Sequence, residues 1–434
     1  MTHIGKSETH TQYPMFTIHR FPFFGKRFFK QIRKIVGCTT FSHLWRLVIG
    51  IASIIGRKSL SKFTKLFGSR RTRQTISHFL TQAEWDAPEL LLENALMILR
   101  RLGWKSGDMV YLAVDDTQKE KRGKRMDAVS KIYLHAQKVY ANGHTILGCA
   151  FVYRNVVIPC AVRLWASKEY CKQSQKANNE HEPVKFKKLT ELAAECIESI
   201  RLPSAGRVTV MFDKFYLCDT VAKACETRGF KYIGAVKSNR SFFPDKRQRD
   251  KRSLGRYGKN VLDREGRVTN IAGSKKKHRV AEKVGTMNKL GRVKLAFSRR
   301  VGEKSWIILA TNELRWGAKK LIEHYRHRWP IEILFKMSKQ HLGLGDYQFL
   351  RYTAVARYLH LVMIAHHLLT HLAIERSGEK AVTQGRDALR LPGVERMQSV
   401  LRGMLFDDCV ASLTIGKKDK ALGRKLKKML VPAE

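Results

Sequence analysis

Residues 208–238 read VTVMFDKFYLCDTVAKACETRGFKYIGAVKS, and the order of elements they encode decides the fold. Val208 to Asp213 is a short apolar run of the buried-strand type, CDTVAKACETRGF reads as a helix ending at Gly229, and KYIGAVKSN returns to strand character. A strand, a helix and a strand in that order imply parallel pairing through a crossover. Asp213 therefore stands at the end of a buried strand, and strand ends in an open α/β sheet are where reacting groups gather.

Upstream, MVYLAVDD (Met109 to Asp116), KVYANGHTILGCAFVYR and VVIPCAVRLW are further β-rich runs divided by turn residues, and LTELAAECIESI is helical. The first run ends in AVDDT, so Asp115 is a second carboxylate emerging from an apolar strand. Asp116 is its neighbour, but successive strand residues point to opposite faces, so the two do not share one metal pair. A turn or helix cap is the plain alternative for either aspartate taken alone.

Downstream, HYRHRWPIEILFKMSKQHLGL places Tyr325, Arg328, Glu332 and Lys339 in a Y-(2)-R-(3)-E-(6)-K spacing. At about 100° per residue these four fall within an arc of roughly 60° on one helical face. A carboxylate flanked by two cations and a phenol suits a phosphodiester held beside a metal ion. A solvated amphipathic helix would carry the same charges. Pro330 cannot donate to the carbonyl of Arg326 and is expected to kink the helix or restart it just before Glu332.

Composition narrows the partner. The chain has 434 residues, 44% of them apolar, enough for a sizeable core, and 83 Lys and Arg against 37 Asp and Glu give a net charge of +46. A surplus spread over the whole length makes nucleic acid the leading partner. Membrane contact is disfavoured, since the longest apolar run, Leu47 to Ile55, is too short to cross a bilayer. The start MTHIGKSETHTQYP lacks the pattern of a secretory signal, so an intracellular protein is expected. The eight cysteines show no CxxC pair and read as reduced structural thiols. His360, His366, His367 and His371 lie in an apolar run and read as packing or surface residues rather than a metal site.

The helical region from about 41 to 103 contains LSKFTKLFGSRRTRQTISHFL, a helix, a Gly68 turn and a second helix opened by Arg70, Arg71 and Arg73. This is the outline of a helix-turn-helix DNA reader, and equally of an ordinary helical hairpin. Phenylalanines mixed with Lys and Arg in residues 1–40 suit a DNA-touching arm or an amphipathic helix docked on the body. Trp306 and Trp329 are candidates for stacking on an unpaired base, with burial as the alternative.

Taken together, the D-x-T at Asp115, the FDKFY segment at Asp213, the run GFKYIGAVKSNR, the basic β-rich segment and the YREK helix resemble the DDE transposases of bacterial insertion sequences, in the branch with a YREK signature named after insertion sequence four. The resemblance covers roughly residues 105–345. It implies an α/β fold: a ribonuclease H-like catalytic core interrupted by a β-rich insertion, with helical N-terminal and C-terminal regions. The divisions expected are an arm at 1–40, a DNA-binding domain at 41–103, core at 104–240, insertion at 241–311, the Glu-bearing YREK helix at 312–350 and a helical basic region at 351–434.

By the same resemblance Asp115, Asp213 and Glu332 are the catalytic carboxylates holding two Mg²⁺ or Mn²⁺ ions, about 3.5 to 4 Å apart in such sites. Tyr325, Arg328 and Lys339 match the family's DNA-contacting positions. The implied partners are double-stranded DNA at element ends and target, with a homodimer in the end-paired complex, in the bacterial cytoplasm at the nucleoid. A nuclease on the same fold, or a non-catalytic DNA-binding derivative of a transposase, are the alternative readings.

Overall fold

A helical layer opens the chain because its apolar residues recur at helical spacing: α1 (Lys26–Ile35), α2 (Cys38–Ser53), α3 (Leu60–Phe67), α4 (Arg73–Gln82) and α5 (Ala87–Arg101). The computed structural model describes residues 18, 21–67, 72–123, 125–134, 138–176, 184–202, 207–244, 251–378 and 388–414. Helix α1 is docked on the body through Phe28, Phe29 and Ile32, which are buried, so the described part of the N-terminal arm is packed rather than extended. Thr72 caps α4 by accepting from the Thr75 amide, and Asp86 caps α5 by accepting from Glu89.

The sheet follows. Strands β1 (Val110–Glu120), β2 (Ser130–Leu134), β3 (Val139–Tyr153) and β4 (Val156–Leu164) are joined antiparallel, and after α6 (Lys168–Lys176) and α7 (Leu189–Ser199) the chain adds β5 (Val208–Phe212), α8 (Asp219–Thr227) and β6 (Lys231–Ala235). Strands β1, β5 and β6 run parallel, as the crossover reading required. Helices cover both faces, which is why β3 is apolar without a polar break from Ile146 to Val152: Ile146, Ala150 and Val152 enter one core, while Leu147, Cys149 and Phe151 enter the other.

One boundary differs from the sequence reading. Strand β1 does not stop at Asp116 but continues to Glu120, because β3 is long enough to pair with it throughout, whereas its other neighbour β5 ends at the Val114–Phe212 pair. Asp115 therefore sits where the sheet opens on one side.

The segment 241–311 comprises β7 (Ser241–Phe243), β8 (Arg252–Ser253), α9 (Leu254–Glu265), β9 (Arg267–Thr269), β10 (His278–Met287), β11 (Gly291–Arg300) and β12 (Trp306–Thr311). It is β-rich as read, but it carries a helix and is not set apart from the core. Strand β12 pairs antiparallel with β6, so all twelve strands form one sheet in the order β2-β3-β1-β5-β6-β12-β11-β10-β7-β8, with β4 on β3 and β9 on β10. Its partner strand lies about 75 residues earlier in the chain, as the Thr311–Ile233 pair marks, and local periodicity carries no trace of such pairing.

The chain then forms α10 (Ala318–Tyr325), a 3₁₀ turn (Arg326–Arg328), α11 (Pro330–His341), α12 (Tyr352–Ser377) and α13 (Val394–Thr414). Helix α12 is buried on every side, packed between α2, α5 and β4. His360, His366, His367 and His371 are buried in it; His367 Nε2 bonds the Pro159 carbonyl at 2.8 Å, and His371 lies 3.2 Å from Glu375. They are packing residues, and burial holds His360 and His367 at about 3, well below the usual histidine range. All eight cysteines are free thiols. No described helix is long and apolar enough to cross a membrane. Arg70, Arg71 and the basic tail at 415–434 lie outside the described residues.

Candidate active site

The YREK residues do not lie on one continuous helix. Pro330 takes the first position of α11, where its missing N–H costs nothing, and the chain before it tightens into the 3₁₀ turn. The expected single helical face is thus broken at 326–329, yet the break brings the side chains together. The Arg328 guanidinium donates to Asp115 Oδ2 at 2.9 Å and, from its other nitrogen, to Glu332 Oε1 one turn further on. One cation is shared by two of the three expected carboxylates.

Asp213 joins them from β5, whose last residue pairs beside Val114, so that Asp213 and Asp115 leave adjacent parallel strands at the same level. The Asp213 carboxylate accepts from the amides of Phe215 (2.8 Å) and Tyr216 (3.3 Å), which fixes the turn after the strand. Tyr216 then donates its hydroxyl to Asp116 at 2.7 Å. Asp116 is therefore occupied away from Asp115, as strand alternation requires. Sequence reasoning missed Tyr216 as a positioning residue; its signal is the D-x-x-Y spacing inside FDKFY.

Helix α11 reaches the sheet because of a glycine. Gly148 of β3 lies opposite Asp115, and a Cβ there would stand 2.8 Å from the Phe335 ring. The ring settles on the bare backbone and draws Glu332, three residues earlier, toward Asp115. Nothing in the local pattern around Gly148 marked it.

Tyr325 is half-buried, with its ring centroid 5.9 Å from the Arg328 guanidinium and its hydroxyl donating to the Phe212 carbonyl at 3.3 Å. It is tied to the end of β5 rather than free for solvent. Burial pushes its phenol up to about 12, with Arg328 opposing. Lys339 donates to the Gln118 carbonyl at 2.8 Å, and burial followed by the neighbouring Lys119 lowers its pKa. An ammonium has two further donors after that bond. Arg73 is exposed and donates to Ser61 of α3. Trp306 packs against Phe297 (6.3 Å between rings), whereas Trp329, beside Arg328, is 59% exposed.

Electrostatically the cluster is poised for added positive charge. Burial raises Asp115 to about 6, the Arg328 guanidinium pulls it back, and Asp116 and Asp213 add repulsion. Carboxylate oxygens are the donors that hard divalent cations take. Asp115, Asp213 and Glu332 thus fit such an ion by chemistry, although among the described residues no three acidic, histidine or cysteine side chains already form a cation cage. Arg328 already supplies one such charge to Asp115 and Glu332.

The family of DDE superfamily endonucleases matches residues 35–290, more than half of the chain, and the chain belongs to that family. The match takes in Asp115 and Asp213 and ends before Glu332. A probable transposase for insertion sequence element IS701 from Microchaete diplosiphon is 24% identical over 195 residues, 44% of this chain and 48% of that protein. The chain therefore spans about half the length of that relative.

Proposed function

We propose that the protein is an insertion-sequence transposase of the YREK type, which binds terminal inverted repeats, cuts at the element ends and joins them to target DNA. The observation that carries this is the meeting of Asp115, Glu332 and Arg328 at the point where β5 ends and Asp213 emerges. The arrangement β4-β3-β1-β5-β6, with β3 alone reversed against β1, β5 and β6, supports a ribonuclease H-like core over 104–240.

Asp115, Asp213 and Glu332 would hold Mg²⁺ or Mn²⁺, two ions in this reading, which when bound activate the nucleophile and stabilise the leaving oxygen. The chain's own residues do the rest. Arg328, planar and with five donors, transfers its grip from Asp115 and Glu332 to a non-bridging phosphate oxygen. Lys339 adds a point charge from α11, and Tyr325 holds the end of β5 in register. In cleavage, a water oxygen bonds to phosphorus as the bond to the departing 3′ oxygen breaks. In joining, that freed 3′-hydroxyl oxygen bonds to a target phosphorus in the same in-line displacement, while the bond from that phosphorus to the target's own 3′ oxygen breaks and the 3′ oxygen leaves and takes up a proton.

Double-stranded DNA and a homodimer in the end-paired complex follow from this reading, as does a place at the bacterial nucleoid. The test is incubation with Mg²⁺, a labelled fragment carrying the inverted repeat that flanks the coding region, and a target plasmid. Cleaved and joined products are expected, and each should vanish in Asp115→Ala, Asp213→Ala and Glu332→Ala. Full activity in any of these variants removes that residue from the site. Cleavage without joining would favour a nuclease on the same fold.

A further inference from the structure

Strands β2 and β3 form a ribbon that runs past the catalytic end of the sheet, and its two faces differ sharply. Residues directly opposite in an antiparallel pair share a face, and faces alternate along each strand. The pairs Lys131–Asn142 and Tyr133–Tyr140 therefore lie on one side, while Ile132–Ala141 lies on the other. The second face is apolar and packed at Ile132, which is buried, and opens only at the Leu134–Val139 pair by the turn, where Val139 is 48% exposed. The first is open: Lys131 is exposed, Tyr140 is 75% exposed, and its ring lies 5.1 Å from that of Tyr133. Lys138 is exposed at the adjoining turn.

We infer that this tyrosine–lysine face is a docking surface for duplex DNA, holding the stretch that leads into the reacting end. Three observations support it. The exposed Tyr140, backed by the half-buried Tyr133 and flanked by Lys131 and Lys138, offers rings for deoxyribose and cations for phosphate, complementary to a polyanion on a chain of net charge +46. The face lies further along the sheet in the direction in which β1 runs past Asp115, on its β3 flank, and Lys339, bonded to Gln118 in between, adds a cation along that path. The ribbon is two-stranded, a form that B-DNA accommodates against its grooves.

The location fixes the register. Glu120, which pairs with Gly143, lies five positions beyond Asp115, and three more positions lead back along β3 to Tyr140. At about 3.3 Å per residue this spans roughly 26 Å, or about eight base pairs at 3.4 Å each. This register rests on the proposed active site, because it is counted from the phosphate held at Asp115.

The experiment uses the full chain and a fluorescent duplex carrying the flanking inverted repeat, with binding followed by anisotropy over a salt series and by hydroxyl-radical footprinting. In the double variant Tyr133→Ala, Tyr140→Ala, binding should weaken roughly tenfold and protection about eight base pairs from the cut phosphate should fade. Tyr140→Phe should retain most of the affinity. Lys131→Ala should lower the slope of log affinity against log salt by about one. Unchanged affinity and footprint in a folded double variant overturn the inference. So does a change in sedimentation from dimer to monomer with DNA binding intact, which would assign the face to a second copy of the chain. A wild type that binds and shows these losses but never cuts supports the surface and sinks the transposase reading instead.

Discussion

Arg328 and Asp115 stand 213 positions apart in the chain, yet the guanidinium of one reaches the carboxylate of the other at 2.9 Å. Both side chains are mostly shielded, at 15% and 18% exposure. A shielded ion pair at an active centre holds its members in place until a better partner arrives. In the proposed function the better partner for the arginine is a DNA phosphate.

Replacing that arginine should be costly even when its charge is kept. Arg328→Lys retains a cation but loses the fork that addresses two oxygens at once. Cleavage of the end fragment should fall roughly 100-fold, in line with the loss of a donor aimed at a reacting phosphate or oxyanion. A single-turnover cleavage assay decides it, and a lysine variant of wild-type rate would show that only charge matters there.

The buried aspartate makes a pH prediction. Burial raises Asp115 from 3.8 to about 6, so the folded state favours its neutral form more than the unfolded chain does. A group shifted this way penalises folding above its folded pKa and ceases to do so below its unfolded value; the effect appears as pH rises from about 4 to 6. Asp115→Asn should therefore be more stable than wild type at pH 7.5, by up to about 3 kcal/mol, with the difference vanishing near pH 4. Thermal melts at several pH values measure this; equal melting temperatures at pH 7.5 would contradict it.

A third test concerns the contact beneath α11. Gly148→Val puts branched carbon where the Phe335 ring rests, and should cost about 1–3 kcal/mol while separating Glu332 from Asp115. Adding Phe335→Ala makes room, so the double variant should melt higher than Gly148→Val alone. If the two losses simply add, the ring and the glycine are not the contact that seats the helix.

Tyr216→Phe removes one oxygen and the bond to Asp116. A stability loss of about 1 kcal/mol is expected. Cleavage should drop far less than in Asp115→Ala, because Tyr216 positions a neighbour of the site rather than touching DNA. A variant as inactive as Asp115→Ala would promote Tyr216 to the chemistry itself.

Much of this site was legible before any coordinates. Asp213 is visible because an apolar run ends in a carboxylate and a crossover helix follows, and the restart of the helix at Pro330 follows from the missing N–H. The bond from Arg328 to Asp115 was not legible, since helical spacing speaks only of neighbours a turn or two away. Nor was the membership of Trp306–Thr311 in the central sheet, because a strand carries no mark of which strand it will pair with. Gly148 was passed over for a similar reason: its meaning lies in Phe335, which only the tertiary fold brings to it.

Pro330 has one more effect. Its ring denies α11 any continuation toward Tyr325, so the 3₁₀ turn that aims Arg328 is written into the covalent chain and exists before DNA arrives. Binding then spends little free energy on bending a helix or ordering that turn. Under the proposed function the clamp is preorganised, and what remains for an incoming phosphate is an exchange of partners.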